Sequence, residues 1–491
     1  MRDIIFTFFN YFVFFYTSML AIFFVTFAFL SFISLKRRKD YYVESYMRKT
    51  IKESPYTPGI SVIAPAFNEE KTIIDNVNSM LALEYPLFEV VIVNDGSTDS
   101  TLEKMTEYYE LVEVPYAYIE RIKTRPFRRL LKSSNPKYSR LIVVDKENGG
   151  TKADASNAGI NVSSYPYFIC TDVDCILEKY ALYRCISPII SSDKQVIAVS
   201  GTMLMANGCV VKDGQIIDVR TPRTPIPLFQ NLEYMRSYLI GKMGWSAING
   251  MPNVSGGFGL FDRSVAIAAG GYDAPSFAED MDLITRMVGY MCDFSRPYKI
   301  VQIPDTCCWT EGPPNLAMLY RQRTRWARGL FQTLNIHRKM IFKKTYKQMG
   351  LLTLPYMFVF EFLAPIIELV GLIVFIYLAF TGAVNWNTAW MIYLTIYTFC
   401  QFLSIVVITY DYYVGMLYKR GYEYLWIIIA SILEPIFYHP IITFCSLRGY
   451  LSYLTNRDFK WKNMERKGFK QKEENTDDAE TAAMKPEPAT I

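Results

Sequence analysis

Two groups of long apolar segments, one near each end of the chain, restrict its fold more than any other feature. Residues 4–35 contain no charged side chain, and this run is longer than the ~20 residues that a membrane-spanning helix needs. Further apolar segments cover residues 351–380, 389–410 and 424–447. The pattern predicts a multi-pass membrane protein with a separate polar domain between the two groups.

Basic residues after the first apolar run predict its orientation. Lys36, Arg37, Arg38 and Lys39 follow it directly, and such residues prefer the cytoplasmic side of a membrane. A cleavable signal peptide is the alternative, but its apolar core has only ~7–15 residues and ends at a small-residue cleavage site. We therefore expect one transmembrane helix in residues 1–35, located in the plasma membrane. A basic cytosolic linker at 36–57 and a cytoplasmic domain should follow.

Three acidic residues fall within the late apolar segments. Glu361, Glu368 and Glu434 are costly in hydrocarbon, so they should face protein, water or the lipid headgroups. A polar path between the helices and a position at the membrane interface both remain open.

The C-terminal region of 351–455 raises a question of parity. One early and three late spans would place the C-terminus outside, whereas the basic residues after position 456 favour the inside. Pro435 and Pro440 then predict a broken or re-entrant final segment, because proline interrupts helical hydrogen bonding. The tail, residues 456–491, should be cytosolic, first basic and then disordered.

Composition excludes several classes of protein. A formal charge of +5 over 491 residues is too small to indicate a nucleic-acid partner. The nine cysteines contain no C-x-x-C pair, and the chain has only two histidines. The sequence therefore predicts neither a zinc site nor a disulfide framework, and a reduced cytosolic domain fits.

The polar middle part, residues 58–317, alternates between strand and helix patterns. Short apolar runs typical of buried strands are followed by segments with apolar residues at helical spacing. The predicted strands are 60–65, 89–95, 140–144 and 167–170, and the predicted helices include 68–83 and 152–161. This alternation predicts an α/β domain with a parallel sheet, whose ligands bind beyond the carboxyl ends of the strands.

Acidic residues stand at those strand ends. Asp95 ends the second predicted strand, and Asp172 and Asp174 follow the fourth. Two aspartates one residue apart suit a hard divalent cation such as Mg²⁺, which binds carboxylates and substrate phosphates together. A solvated strand end is the alternative for a D-x-D pair alone, but the shared edge of the sheet favours a metal site.

Two further segments carry candidate binding and catalytic residues. Lys152 enters a helix after a glycine turn, where a lysine can meet a diphosphate, although ordinary helix capping explains the pattern equally well. Glu279 and Asp280 begin another predicted helix, where carboxylates normally favour the helix dipole. Two adjacent acids near an acceptor pocket are also candidates for a general base.

An arginine-rich run, residues 320–329, precedes the late apolar segments within a predicted interfacial region, 318–350. As a helix it places Gln322, Arg325 and Trp326 on one side at spacings of three and four. Such residues can clamp phosphate and sugar, or they can face lipid headgroups. We expect the clamp for these three residues and headgroup contacts for Arg321 and Arg328.

Together these motifs resemble those of the membrane-embedded, processive family 2 glycosyltransferases, which include the cellulose, chitin, hyaluronan and poly-N-acetylglucosamine synthases. The resemblance covers about residues 58–330. It rests on five motifs in the family's order: Ala64-Pro-Ala-Phe-Asn-Glu-Glu70, Asn94-Asp-Gly-Ser-Thr-Asp99, Asp172-Val-Asp174, Glu279-Asp280 and Gln322-Arg-Thr-Arg-Trp326. It implies an α/β GT-A-type cytosolic domain with transmembrane α-helices on both sides.

The resemblance also implies roles on the donor side. The donor would be a UDP-sugar, with UDP-N-acetylglucosamine and UDP-glucose as the leading candidates. Asp95 would hold the uridine, Asp172 would contact the nucleotide, and Asp174 would bind Mg²⁺ or Mn²⁺. Lys152 matches a lysine near the donor phosphates.

On the acceptor side, the resemblance makes Asp280 the base that takes the proton of the acceptor hydroxyl, with Glu279 beside it. Gln322, Arg325 and Trp326 would bind the diphosphate and the acceptor sugar. The reaction would invert the anomeric centre and extend a β-linked polysaccharide, which then crosses the membrane. Partners would be the growing polysaccharide or a lipid-linked acceptor, membrane lipids and an accessory export subunit.

Two departures from the family pattern and two other functions stay open. Ala278 stands where many members have threonine, and a basic insertion at 121–140 is either a solvated loop, which we favour, or a contact for anionic lipid. A single-addition transferase acting on a lipid-linked acceptor is an alternative within enzymes. A nucleotide-binding membrane transporter or receptor is the alternative of another class.

Overall fold

The computed structural model describes residues 2–41, 44–212 and 214–455, with side chains described outside 2–10 and 38–47. The tail predicted for 456–491 lies outside these residues. Within them, strands of the middle domain form a ten-stranded sheet and a small two-stranded sheet. In chain order the strands are β1 Ile60–Ala66, β2 Phe88–Asp95, β3 Leu111–Val114, β4 Phe127–Ser133, β5 Leu141–Lys146, β6 Tyr167–Thr171, β7 Ile176–Leu177, β8 Gln195–Met205, β9 Val210–Lys212, β10 Gln215–Asp218, β11 Phe258–Asp262 and β12 Tyr298–Thr310.

The larger sheet has the order β3-β4-β5-β2-β1-β6-β11-β8-β12-β7. Its centre is parallel, since β1 pairs with β2 and β6, and β2 pairs with β5. These strands match the four predicted ones, and their unbroken apolar runs are typical of strands buried on both faces. The flanks differ from the predicted parallel sheet, because β4 and β11 pair antiparallel with their neighbours.

The basic insertion at 121–140 was expected to be a loop, and this expectation is wrong in part. Residues Phe127–Ser133 form β4, which pairs with β5 and extends the sheet. Arg129 donates to Asp145 from 3.1 Å, so one of its basic side chains is paired within the domain. Leu130 and Leu131 are buried, and their burial stabilises a strand that charge counting alone did not reveal.

Helices cover the sheet and connect it to the apolar segments. In chain order they are α1 Arg2–Tyr41, α2 Glu44–Glu53, α3 Ile73–Leu81, α4 Thr101–Tyr108, α5 Lys152–Val162, α6 Ala181–Ile190, α7 Pro225–Arg236, α8 Met243–Ala247, α9 Arg263–Ala268, α10 Glu279–Asp293, α11 Leu316–Ile336, α12 Leu354–Tyr356, α13 Ala364–Phe380, α14 Trp386–Val414 and α15 Gly421–Leu454. Between α7 and α8 the helix widens to a π-helix over Ser237–Lys242.

Four helical segments in the described residues are long and apolar enough to cross a membrane: Tyr11–Arg37, Met349–Phe380, Trp386–Val414 and Gly421–Leu454. Their positions agree with one early and three late segments. The first also packs on the middle domain, where the ring centroids of Phe27 and Trp245 are 4.6 Å apart. The membrane segments and the domain are therefore joined through aromatic side chains.

The irregular late segment is the first one. The last one, which was expected to be broken or re-entrant, is not broken, and a re-entrant path stays a prediction. Gly421–Leu454 is one continuous helix that contains both Pro435 and Pro440. Long helices tolerate proline when neighbouring helices support the turns around it. The first late segment instead has π-helical turns at Met349–Thr353 and Met357–Phe362 and a new helix from Ala364 onward, where Pro365 suits a first turn.

Two of the three acidic residues of the late segments, Glu434 and Glu368, have side-chain partners within the protein. Arg236 of α7 donates to Glu434 from 2.8 Å, so this carboxylate ties the last segment to the middle domain. Glu368 lies 3.1 Å from His439 Nε2 and accepts from Thr443 at 2.6 Å. Ion pairs and hydrogen bonds between elements thus account for Glu434 and Glu368, and neither needs to line a polar path.

Candidate active site

The predicted acidic residues meet at one edge of the sheet. Asp95 is the last residue of β2, and Asp172 and Asp174 follow β6. Strand β1 lies between these two strands and is parallel to both, so all three carboxylates lie at the carboxyl edge. The sheet therefore brings together residues that are far apart in the sequence.

A buried lysine holds Asp95 in place. The Lys146 ammonium lies 2.6 Å from Asp95 Oδ1 and 2.6 Å from Asp154 Oδ2, and its side chain is fully buried. The backbone amide of Gly149 donates to the same Asp95 oxygen from 3.0 Å. Lys146 was not among the predicted site residues, although its place just after a predicted strand, beside the glycine turn, was a usable signal. One Asp95 oxygen is thus fixed inside the protein.

Lys152 forms an ion pair with Asp172 at 2.7 Å and donates to the carbonyl of Gly256 at 2.5 Å. It begins α5, whose N-cap Thr151 accepts from the Asp154 amide. Burial alone would lower the pKa of Lys152, but Asp172, Cys170 and Glu279 together outweigh it and raise that pKa above its ordinary value. The structure therefore places a cation beside the D-x-D pair.

Asp172, Asp174 and Cys175 form a group whose potential ligand atoms all lie within 4.8 Å of one another. Carboxylate oxygens suit Mg²⁺ and Mn²⁺, whereas a thiol is a soft ligand that prefers other metals. Cys175 is buried beside the pair. The two aspartates therefore have the chemistry and the spacing for a divalent cation.

The second acidic pair, Glu279 and Asp280, begins α10 as predicted. Asp280 accepts hydrogen bonds from the amide of Gly256 at 3.0 Å and from the amide of Met281 at 2.8 Å. Burial raises the pKa of Glu279, while the Arg325 guanidinium opposes that shift. Asp280 therefore both contacts the backbone at the start of α10 and lies within the site.

The glycine loop before β11 connects the two acidic groups. Gly256 accepts from Lys152 through its carbonyl and donates to Asp280 through its amide. A Cβ on Gly257 would lie 3.6 Å from Asp172 Oδ2, and one on Gly256 would lie 3.6 Å from Glu279 Oε1. The backbone therefore links the D-x-D side of the site to the Glu279-Asp280 side at close range.

The arginine-rich run lies on α11. Arg325 donates to the carbonyl of Phe277 at 3.4 Å, directly before α10, and its charge acts on Glu279. The Gln322 Oε1 atom is buried and has no hydrogen-bond partner among the described residues. A buried amide oxygen without a partner is costly, so a bound ligand would satisfy it.

Arg323, which was not among the predicted site residues, is buried beneath Trp326. Its guanidinium carbon lies 4.3 Å from the Trp326 ring centroid. The same guanidinium donates twice to Glu233 of α7, at 2.7 Å each, and once to Tyr438 of α15 at 3.1 Å. Helix spacing puts Arg323 one turn before Trp326, but only the fold revealed its acidic partner.

The expected headgroup contact of Arg328 is wrong. Arg328 is buried, and its guanidinium carbon lies 4.0 Å from the ring centroid of Phe277. It also approaches the hydroxyl of Ser452 on α15 at 3.5 Å. Helix α11 packs between α10 and α15, and this packing buries the face that carries Arg328. The same face would be exposed in an isolated helix. Arg321 is exposed, and its contact with lipid stays a prediction.

The α/β sheet with these carboxylates at its edge is a GT-A-type domain. Residues 61–208 match the model of glycosyl transferase family 2, and residues 223–444 match that of glycosyl transferase family group 2. The two segments together make up most of the chain, which belongs to glycosyltransferase family 2.

Curated relatives include two poly-beta-1,6-N-acetyl-D-glucosamine synthases. The protein of Staphylococcus aureus strain COL is 29% identical over 278 residues, which are 56% of this chain and 55% of the relative. The protein of Staphylococcus epidermidis is 28% identical over 282 residues, 57% of each chain. The match thus spans little more than half the length of these relatives.

Similar solved structures include a mannosyltransferase from Pyrobaculum calidifontis in complex with GDP-Man and Mn²⁺. It is 18% identical, with a TM-score of 0.47, over 84% of this chain and 99% of that one. Glucosyl-3-phosphoglycerate synthase from Mycobacterium tuberculosis, with Mn²⁺, UDP and glucosyl-3-phosphoglycerate, is 15% identical with a TM-score of 0.35 over 60% of this chain and 85% of that one.

Proposed function

We propose that this protein transfers sugar from a UDP-sugar to the end of a growing β-linked polysaccharide at the cytosolic face of the plasma membrane. The observation that carries the proposal is the double contact of Gly256, which joins Lys152 and Asp172 on one side to Asp280 on the other. The glycine loop thus has the Lys152 ammonium, the D-x-D carboxylates and the candidate base close to it. Such a set of groups suits the transfer of a group from a diphosphate to a hydroxyl.

Asp172 and Asp174 would hold Mg²⁺ or Mn²⁺. Hard cations take one or two carboxylates and complete their shell with phosphate oxygens, which matches this pair. When bound, the ion neutralises the charge of the leaving diphosphate. Asp95 would bind the uridine through the part of its carboxylate that Lys146 and Gly149 leave available.

The chain's own residues would carry out the displacement as follows. The acceptor hydroxyl oxygen forms a bond to the anomeric carbon, the bond from that carbon to the diphosphate breaks, and UDP leaves. Asp280 takes the hydroxyl proton, which makes the oxygen a better nucleophile. Lys152, Gln322, Arg325 and Trp326 would bind the diphosphate and the acceptor sugar, with Glu279 beside Asp280.

Similarity to two poly-beta-1,6-N-acetyl-D-glucosamine synthases supports UDP-N-acetylglucosamine as the first donor to test, with UDP-glucose as the second. A polymer made in the cytosol would have to cross the membrane, and we expect it to pass between the apolar helical segments. An accessory export subunit would then act on the far side of the same path.

The test is UDP release by the full-length protein in detergent or vesicles with Mg²⁺ or Mn²⁺ and each of the two donors. We expect UDP release from at least one donor, together with a polymer on a gel. Short products on lipid-linked acceptors would instead support a single-addition transferase. Tight nucleotide binding without UDP release from any of a panel of donors would overturn the proposal in favour of a transporter or receptor.

A further inference from the structure

Lys242 is a buried cation that none of the motifs includes. It is the last residue of the π-helical segment Ser237–Lys242, and only 8% of its surface is exposed. π-Helical turns within longer helices are rare and occur often at functional sites. This one lies beside the first membrane segment, because the hydroxyl of Ser31 donates to the carbonyl of Leu239.

The surroundings of the Lys242 ammonium stabilise its positive charge only weakly. It lies 4.7 Å from the ring centroid of Tyr238, and within the described residues no hydrogen bond or ion pair reaches it. Burial lowers the pKa of Lys242 to about 8, and the Asp280 carboxylate partly opposes that shift. A buried ammonium without a hydrogen-bond partner is costly, and a packing role would be met better by methionine.

The residues around Lys242 connect it to the candidate base, Asp280. Tyr238 lies beside Ser255, next to the glycine whose amide binds Asp280. The Asp280 carboxylate is near enough for its charge to act on Lys242. Lys242 therefore lies on the Asp280 side of the glycine loop.

The other charged and titratable groups on neighbouring elements have partners of their own or stay neutral, so they do not pair with Lys242. Arg236 of α7 donates to Glu434, and Asp411 of α14 accepts from Tyr424 at 2.6 Å. Burial raises the pKa of Tyr238 and of Cys308 on β12, so both stay neutral near pH 7. The ammonium therefore keeps hydrogen-bonding capacity that the described residues do not use, in a region near Asp280.

We propose that Lys242 and Tyr238 form a subsite for the acceptor, in which the ammonium of Lys242 donates hydrogen bonds to oxygens of the terminal sugar. This subsite would hold that sugar while Asp280 takes the proton of its nucleophilic hydroxyl. The ligand class is a neutral sugar chain end with several hydroxyl or amide oxygens. The inference rests on the proposed glycosyl transfer and adds a group that decides how the acceptor is bound.

The experiment measures UDP release against the concentration of an added β-1,6-linked N-acetylglucosamine trimer at saturating donor. Lys242→Met should raise the KM for the trimer about tenfold or more, because a charge-assisted hydrogen bond is lost, and should leave the KM for the donor unchanged. Lys242→Arg should retain most of the affinity. Lys299→Met, which removes an exposed lysine of β12, is the matched control and should behave as the wild type.

A pH series gives a second readout that loss of packing would not produce. In the wild type the KM for the trimer should rise as the pH passes about 8, where Lys242 loses its proton. The rise should be absent in Lys242→Met and move to higher pH in Lys242→Arg, since arginine stays charged.

The outcomes separate the two proposals. If the wild type releases no UDP with any donor, the glycosyl-transfer proposal fails. If the wild type is active and Lys242→Met has a normal melting temperature and an unchanged KM for the trimer, only the acceptor subsite is overturned. A rise in the donor KM alone would equally overturn it, because Lys242 would then belong to the donor side.

Discussion

Gly329 of α11 abuts Ala278 at the start of α10 so closely that a Cβ at position 329 would lie 2.6 Å from the Cβ of Ala278. The same atom would lie 2.9 Å from the Ala278 backbone nitrogen, which has no freedom to move aside. The absence of a side chain at Gly329 thus sets the distance between the arginine-rich helix and Asp280. Ala278, where many family members have threonine, supplies the other small surface of this contact.

Gly329→Ala should therefore push α11 away from α10 and lower UDP release strongly, by tenfold or more, through misplaced Arg325 and Asp280. Gly371→Ala is the matched control, because a Cβ at that position on α13 would meet nothing within 4 Å. Steady-state kinetics of both variants checks this. Equal activity of the two variants would show that the close contact has no part in the reaction.

Asp280→Asn should reduce kcat by roughly 10²–10⁴, because an amide does not accept the acceptor proton at neutral pH. The amide oxygen still accepts a backbone hydrogen bond, so folding and donor binding should persist. UDP binding by calorimetry and UDP release are the measurements, with the exposed Asp193→Asn as the control. Full activity in Asp280→Asn would remove Asp280 from the role of base.

Glu233→Gln should destabilise the junction between α7, α11 and α15. It leaves the buried Arg323 guanidinium without its counter-charge, and breaking a pair of this kind costs about 3 kcal/mol. We expect a fall in Tm of several degrees in detergent, with no fall for the exposed Glu107→Gln. An unchanged Tm would mean that Tyr438 alone satisfies Arg323.

Asp282→Asn should lower stability in a pH-dependent way. Asp282 lies 2.8 Å from His337 Nε2 and accepts from Arg286 Nε at 2.8 Å. Burial by itself would raise the pKa of Asp282, but these two partners together lower it below its ordinary value of 3.8. The Arg286 ion pair and the His337 hydrogen bond therefore stabilise the fold above about pH 4 and stop doing so as the pH falls through the lower native pKa of Asp282.

The difference in Tm between wild type and Asp282→Asn should accordingly be large at pH 7 and shrink below pH 4. Thermal melting at a series of pH values is the measurement. If the Tm difference stayed constant down to acid pH, side-chain packing rather than charge would explain the contribution of Asp282.

Removal of divalent metal should abolish UDP release. An excess of EDTA is expected to stop the reaction, and either Mg²⁺ or Mn²⁺ should restore it, because Asp172 and Asp174 suit both ions. Asp174→Asn should require far more metal for half-maximal activity while Tm stays near the wild-type value. Full activity in excess EDTA would contradict the metal site.

Several elements were predictable because their signals are local. The apolar runs that become β1, β2, β5 and β6 are buried along nearly their whole length, so their composition marks them without knowledge of their neighbours. In contrast, β4 was missed because Phe127–Ser133 is rich in basic residues. It pairs with β5 because the edge of the sheet offers a partner strand. Its own residue pattern does not indicate this pairing.

The candidate site divides in the same way. Asp95, Asp172, Asp174 and Asp280 stand at strand ends or a helix start, so the sequence places them near one edge. Their partners were not predictable, since Lys146 bonds Asp95 from 51 residues away and Arg323 reaches Glu233 across 90 residues. Such pairs depend on which elements the fold brings together.

The sequence by itself determined the membrane segments, the α/β domain between them and the residue types available for the chemistry. These follow from apolar run length, periodicity and motif order, all of which act over a few residues. The tertiary structure decided the rest. It placed Gly256 between Lys152 and Asp280, turned Arg328 inward, kept the last helix continuous through two prolines and left Lys242 buried near the base. Each of these depends on contacts between distant elements, where burial and charge pairing are set by the packing of the whole molecule.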